Sequence, residues 1–304
     1  MKGQKQTETL KNPAPQQDKN ALTILAKTAQ KQDPDRFLCA MMASSEKREG
    51  LFALINFYHD IAKIKDTVSE SMLGYIRFQW WRDALDALAA GEDRAYDTLS
   101  GLAILRNDGH LPLKLLSSMI DAREKQLEDK QFQTVLEWRS HVNDTAGHLT
   151  EAMAFWLAPD LQNQDIASES LRQTAYAYGM TGLLRTIPYQ VQNRDIQLPL
   201  ALMSDFDLSP EAFYREGDEN KKNALYKAVA DMAWTDLKAA RKSYASHRPE
   251  IAKSVLPALL QGRLAQGYLK KLKRVDYDPF KLLIPAKAPW RILTVSWGSL
   301  VGRF

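Results

Sequence analysis

Few side chains in this sequence stand at spacings that do chemistry. Asp66 and Glu70 lie four apart, the separation that puts two carboxylates on one helix face and lets them share a hard divalent cation. Ser69-Glu70-Ser71 also reads as a polar turn ahead of the next helix, so this pair is an alternative metal site, not the expected one. The stretch 112–129 concentrates Asp121, Arg123, Glu124, Lys125, Glu128 and Asp129. Its mixed signs fit a solvated helix face with i,i+4 pairs better than a metal site. His59, His110, His141, His148 and His247 are scattered. His141 and His148, seven apart, fall on one face of a regular helix, but no carboxylate stands beside them at ligand spacing. Cys39, the one cysteine, sits in the apolar run Phe37-Leu38-Cys39-Ala40-Met41 and reads as a buried, inert thiol that excludes an intrachain disulfide. There is no glycine-rich phosphate loop, no G-x-S-x-G elbow and no H-E-x-x-H.

The elements that must position these residues are helices. From about residue 21 the apolar residues recur at helical spacing, beginning with Leu22, Leu25, Ala26 and Ala29. Asp33 and Pro34 form an N-cap and first-position pair. A helix through Arg36–Met42 follows, and Ser45 is placed to cap a long helix carrying Leu51, Phe52, Leu54, Ile55, Phe57, Tyr58, Ile61 and Ile64. That helix is apolar nearly all round, so it is central. Helical patterns continue through Met72–Leu88 and over 95–106, 112–129, 133–157, 166–184, 209–215, 219–246 and 250–272. Glycine and proline fall mostly between them. No alternating strand pattern, repeat or long linker interrupts, so the fold class is all-α with one domain over 21–287.

The bulk numbers bound the function. The chain has 304 residues, 45% hydrophobic and 26% charged, with a net charge of +4. That is the composition of an ordinary globular protein, and the charge is too small and too dispersed for a nucleic-acid reader. Residues 1–20 are polar and rich in Gln, Lys and Pro. They lack the apolar region of a secretory signal, and with Glu8, Asp18 and no arginine they do not resemble a mitochondrial transit peptide. A disordered tail is expected there.

From Asp35-Arg36-Phe37-Leu38 onward the sequence resembles the squalene/phytoene synthase family. The segment Arg48-Glu49-Gly50-Leu51-Phe52-Ala53-Leu54-Ile55-Asn56-Phe57-Tyr58 is similar to that family's first active-site helix. Ala146-Gly147, Gly179-Met180-Thr181-Gly182-Leu183-Leu184-Arg185 and Arg194-Asp195-Ile196-Gln197-Leu198-Pro199 continue the likeness in the family's order. The resemblance spans about 33–283 and implies an isoprenoid-synthase-like helical bundle with a central tunnel. The family's enzymes join two prenyl diphosphates head to head, with Mg²⁺ bridging the departing diphosphate to two aspartate-rich motifs on facing helices. At those positions this chain has Ala62-Lys63 for the adjacent acids of the first motif, Asp66 for its last, and Thr186 and Gln190 for the two acids of the second. Asp60 does not compensate, being six residues and about 240° around a helix from Asp66. Lys63 can pair with Asp66 or meet a diphosphate directly, and Arg185, beside the lost acid, can do the latter too.

Ile61-Ala62-Lys63-Ile64-Lys65-Asp66-Thr67-Val68-Ser69-Glu70, Ile76-Arg77-Phe78-Gln79-Trp80-Trp81 and Leu184-Arg185-Thr186-Ile187-Pro188-Tyr189 resemble the family branch that contains the mitochondrial respiratory complex I assembly factor and its bacterial relatives. That resemblance implies a non-catalytic protein with a vestigial pocket (Ala62, Lys63, Asp66, Arg185, Thr186, Gln190) and no cofactor, whose partners are proteins of complex I assembly. The alternatives are a prenyl-diphosphate transferase of isoprenoid biosynthesis with an altered Mg²⁺ site, or an isoprenoid or lipid carrier that uses the tunnel. The tail over 288–304 forms, as a helix, one face of Trp290, Leu293, Trp297, Leu300, Val301 and Phe304 flanked by Arg291 and Arg303. With Lys270, Lys271, Lys273 and Arg274 nearby it suits a membrane interface as well as packing on the domain. The expected location is peripheral to the inner membrane, on the cytoplasmic side in a bacterium or the matrix side in a mitochondrion.

Overall fold

The computed structural model describes residues 22–128, 130–159, 165–246, 253–282 and 288–304. The expected tail over 1–20 and His247 lie outside these. Thr23 opens the first helix, α1 (Ile24–Gln32), by accepting from the Ala26 amide at 3.1 Å. Asp33 caps α2 (Pro34–Ala40) as its sequence position predicts: its carboxylate accepts from the Arg36 amide at 2.9 Å and pairs with Arg36 Nη1 at 2.8 Å. The central helix is α3 (Ser45–Ala62), which buries Leu51, Phe52, Ala53, Leu54, Ile55, Phe57 and Ile61. Its N-cap is Ser44 and not the expected Ser45, which falls in the first turn. Ahead of α5 (Ser71–Ala89) the chain makes the short α4 (Ile64–Thr67).

Next come α6 (Asp97–Asn107), α7 (Leu113–Glu124) and α8 (Val135–Val142). A π-helical turn, Asn143–Gly147, joins α8 directly to α9 (His148–Leu157). The expected single helix over 133–157 therefore carries an inserted residue, which rotates everything after it. His141 and His148 consequently do not share a face: His141 looks into the interior, and His148 sits 4.0 Å from Asp144.

The long helices α10 (Asp165–Arg185) and α13 (Glu219–Ser246) pack along one another, with the short α11 (Ile187–Gln192) and α12 (Leu200–Ser204) between them in sequence. The expected helix over 209–215 is a 3₁₀ turn, Pro210–Tyr214. The chain ends with α14 (Leu256–Leu259), α15 (Gln261–Arg274) and α16 (Pro289–Val301). No strand forms among the described residues, in line with the all-α expectation. Two apolar clusters hold the fold together. One centres on α3, α6 and α9, the other on α13 and the second half of α10. Tyr178 belongs to the first and Met180 and Leu184 to the second, so α10 joins them.

The last helix divides the residues that the sequence puts on one face. Leu293, Trp297 and Leu300 are exposed, at 69%, 59% and 79%. Phe304 is buried, edge-on to Tyr244, because Gly302 turns the chain inward at a φ of 64°. Trp290 packs edge-on against Tyr268, in a slot that exists because residue 267 is glycine and a Cβ there would overlap the indole. Arg291, expected at the flank, is buried.

Candidate functional site

A cavity of about 420 Å³ opens between α3, α7, α8 and α10, where the two clusters meet. Ala62 and Asp66 line it from one side, and Thr186 and Gln190 from the other, so four of the six pocket positions expected from sequence converge. Lys63 and Arg185 are not among its lining residues. Lys63, exposed, caps the end of α3. Lys65 is the lysine that lines the cavity. On a helix, residues 62, 65 and 66 stand at i, i+3 and i+4 on one face, whereas residue 63 is about 100° around. The Lys63–Asp66 ion pair does not form among the described residues, and Lys65 instead reaches across to Asp195 at 3.0 Å.

Asp66 and Glu70 do not share a helix face. α4 stops at Thr67, and Val68 is extended with φ −110° and ψ 142°. Asp60 points away to α6, accepting from Thr98 at 2.8 Å and Tyr96 at 3.2 Å. The positions of the second motif are internally satisfied. Gln190 donates to Thr186 Oγ1 at 2.8 Å and to the Leu183 carbonyl at 3.1 Å, and accepts from the Gln197 amide at 2.9 Å. Gln197 also donates to Asp195 at 2.6 Å.

Two groups of charges flank this cavity. Behind it, Asp35 is almost fully buried and accepts from Tyr178 at 3.1 Å, Tyr268 at 2.7 Å, Arg185 Nη1 at 3.1 Å and Arg291 Nη1 at 3.1 Å. Burial holds the Tyr178 and Tyr268 phenols above their ordinary range, so both stay protonated and donate. Arg185 also lies over the Tyr268 ring at 3.8 Å. The arginine singled out beside the second motif is thus held by an internal carboxylate. In the cavity wall, Arg123, Tyr58, Arg36 and Tyr178 form a stack. The Arg123 and Arg36 guanidiniums each stand 5.1 Å from the Tyr58 ring, and Arg36 stands 4.8 Å from the Tyr178 ring.

Arg123 donates to Tyr58 Oη at 2.9 Å and Gln126 Oε1 at 3.0 Å and makes no ion pair among the described residues. The acids beside it in sequence, Asp121 and Glu124, are instead bound by Arg82 of α5, at 2.7 and 2.8 Å. The expected i,i+4 face is therefore an inter-helix bridge that leaves Arg123 turned inward. His141 completes the wall against Phe132, and burial, then Arg123 and Lys125, push its imidazole down to about 3. Cys39 is buried, as expected.

Comparison with known proteins agrees with this architecture. The chain is 30% identical over 271 residues, 88% of its length and 79% of the relative's, to a Bos taurus protein named NADH dehydrogenase (ubiquinone) complex I, assembly factor 6. A Drosophila melanogaster homologue of that name is 24% identical over 292 residues, 90% of this chain and 82% of that one. Among solved structures it superposes on a ligand-bound dehydrosqualene synthase with a TM-score of 0.76 and 14% identity, covering 91% of this chain and 94% of that one. It superposes on the squalene synthase of Alicyclobacillus acidocaldarius with a TM-score of 0.72 and 13% identity, covering 84% and 94%. The model of that enzyme family matches residues 29–294, nearly the whole bundle around the cavity: the chain belongs to the squalene/phytoene synthase family.

Proposed function

We propose that the protein serves the assembly of respiratory complex I as a non-catalytic member of its family, resting against a membrane through α16. The observation that carries this reading is the similarity over 88% of the chain to a protein named as a complex I assembly factor. The cavity's donors support it. Magnesium requires several oxygen ligands in near-octahedral array, and diphosphate departure requires that magnesium. Asp66 and Asp195 are the acids lining the cavity, and Asp195 is already bound by Lys65 and Gln197. Ala62 offers no ligand, and Thr186 and Gln190 are tied to each other. Among the described residues no cluster of three His, Cys, Asp or Glu side chains is placed to hold a metal. The residues present do not fit the family's magnesium.

Membrane contact is supported by the outer face of α16, where Ile292, Leu293, Trp297 and Leu300 are exposed. The exposed Lys270, Lys273 and Arg274 of α15 and Arg303 supply positive charge for anionic lipid. No helix of the described residues is long and apolar enough to cross a membrane, and the contact proposed is a peripheral one.

Deletion of the gene tests the assembly role. The expected result is less assembled complex I on native gels, with sterol, hopanoid and carotenoid levels unchanged, and full rescue by Asp66→Ala. Release of diphosphate from farnesyl diphosphate and Mg²⁺ by the purified protein, abolished by Asp66→Ala, would overturn the non-catalytic reading.

A further inference from the structure

Helix α5 is apolar on two faces. It buries Gly74, Phe78, Trp81, Leu85 and Leu88 on the side that meets α6 and α7. On the other side Met72, Ile76 and Trp80, at i, i+4 and i+8, form an exposed row, with Met72 66% and Ile76 59% open to solvent. Leu73 and Tyr96 are exposed as well. A surface helix normally carries polar residues on its outer face, and a contiguous apolar patch there marks a contact site. One end of the row is held in place. Trp80 stands edge-on to Trp81 at 5.1 Å and to Tyr96 at 5.6 Å, and Tyr96 donates to Asp60 at 3.2 Å. Rings already fixed lose little freedom on binding, and tryptophan and tyrosine carry a large share of contact energy.

Charge selects the occupant. Between Ser71 and Asp97 the exposed acids are Asp83, Asp86, Glu92, Asp93 and Asp97, and the exposed base is Arg77, which donates to Thr67 Oγ1 at 2.7 Å. Arg82 and Arg94 of the same stretch are half-buried, and Arg82 is bound by Asp121 and Glu124. Of the neighbouring lysines, Lys63 lies near Asp60, and Lys130 is paired with Glu128 at 2.6 Å. Asp83 stands one turn beyond Trp80, and Asp97 follows Tyr96. The apolar row is therefore rimmed by net negative charge, opposite to the surroundings of α16. Anionic lipid is repelled by such a rim, and two copies meeting through this face would bring like charges together.

We infer that the exposed face of α5 docks a basic amphipathic helix of a partner protein. Met72, Ile76 and Trp80 make an i±4n ridge about 12 Å long, which fits the groove between the corresponding rows of a second helix. The partner lays its apolar residues over this ridge and its Lys or Arg flanks over Asp83 and Asp97. The inference does not rest on the complex I role, and none of these residues lines the central cavity.

The test titrates the full chain into two dye-labelled amphipathic model helices, one built of Leu and Lys and the other of Leu and Glu, and reads fluorescence anisotropy. The Leu/Lys helix is expected to bind about tenfold tighter or more, from its charge alone. Ile76→Ser should weaken it about tenfold, as loss of one buried aliphatic side chain does, and Trp80→Ser at least as much. Asp83→Lys should weaken it about threefold or more by reversing one rim charge. Tm keeps a folding defect apart from a binding defect. Should Trp80→Ser disturb the Trp81 and Tyr96 rings, Ile76→Ser, whose side chain is exposed, reads the same face. Vesicles of phosphatidylcholine and phosphatidylglycerol are expected to bind Ile76→Ser as they bind the unaltered chain. Equal affinity for the two helices, or unchanged affinity in a folded Ile76→Ser, overturns the inference. Vesicle binding lost in Ile76→Ser overturns it in favour of a membrane, and self-association of the chain abolished by Ile76→Ser overturns it in favour of a second copy.

Discussion

Two arginine–tyrosine clusters stand side by side in this protein, built from the same kinds of side chain and opposite in consequence. Around Asp35, two arginines and two phenols close on one carboxylate. Around Tyr58, two arginines lie near a phenol: Arg36 is bound by Asp33, and Arg123 has no acid opposite it among the described residues. A carboxylate in the middle turns the first into a structural knot, whereas the second lines the cavity. The difference teaches that an arginine's presence in a pocket region says little until its counter-charge is located. Arg185, beside the second motif, is consumed internally. Arg123, in what reads as a solvated helix face, is the open one.

The largest expected effect breaks the first cluster. Asp35→Ala leaves Arg185 and Arg291 facing each other without their shared acid, and removal of one partner from a buried ionic group costs about 3–5 kcal/mol. Urea denaturation measures this, and a loss under about 1 kcal/mol would erase the distinction between the clusters.

Acidification reads the second cluster. The His141 imidazole titrates near 3 in the folded chain, driven down by burial and then by Arg123 and Lys125, against an ordinary value of about 6.5. Between these values the unfolded chain binds a proton that the folded one refuses. Stability therefore declines as pH falls from about 6.5 toward 3, by an amount on the order of 2–4 kcal/mol. His59, lowered to about 4 by burial and then by Lys63, acts with the same sign. His141→Gln should flatten this decline when denaturation midpoints are compared across pH, leaving the His59 share.

Breaking the Lys65–Asp195 bridge comes next. Both side chains are partly exposed, so Lys65→Ala should cost under about 1 kcal/mol by the same denaturation assay. The smallest effect sharpens the comparison by its sign. Arg123→Gln removes a charge that has no counter-charge among the described residues, so unliganded stability should change by less than about 0.5 kcal/mol or rise slightly, against the large loss at Asp35.

The helices were legible because apolar spacing and caps carry them. The run from Leu51 to Ile61 and the Asp33-Pro34 start both became helix as expected. The site was legible only where it follows helix phase. Ala62 and Asp66 face the cavity as an i,i+4 pair, and the same rule names Lys65 rather than Lys63. Phase fails at the π turn of Asn143–Gly147, which separates His141 from His148, and at Val68, which separates Asp66 from Glu70. What sequence could not supply is pairing across long separations. That Arg82 takes both Asp121 and Glu124, freeing Arg123 to turn inward, depends on how α5 lies against α7. The burial of Asp35 depends on four partners from elsewhere in the chain.

Those four partners lie 143, 150, 233 and 256 residues downstream of Asp35. The last is Arg291, on α16. The carboxylate is therefore made well before its partners, and it can go dry only after α16 arrives. Native burial of Asp35 thus waits on a helix far along the chain, and a nascent chain stalled before residue 291 would hold this acid one cation short.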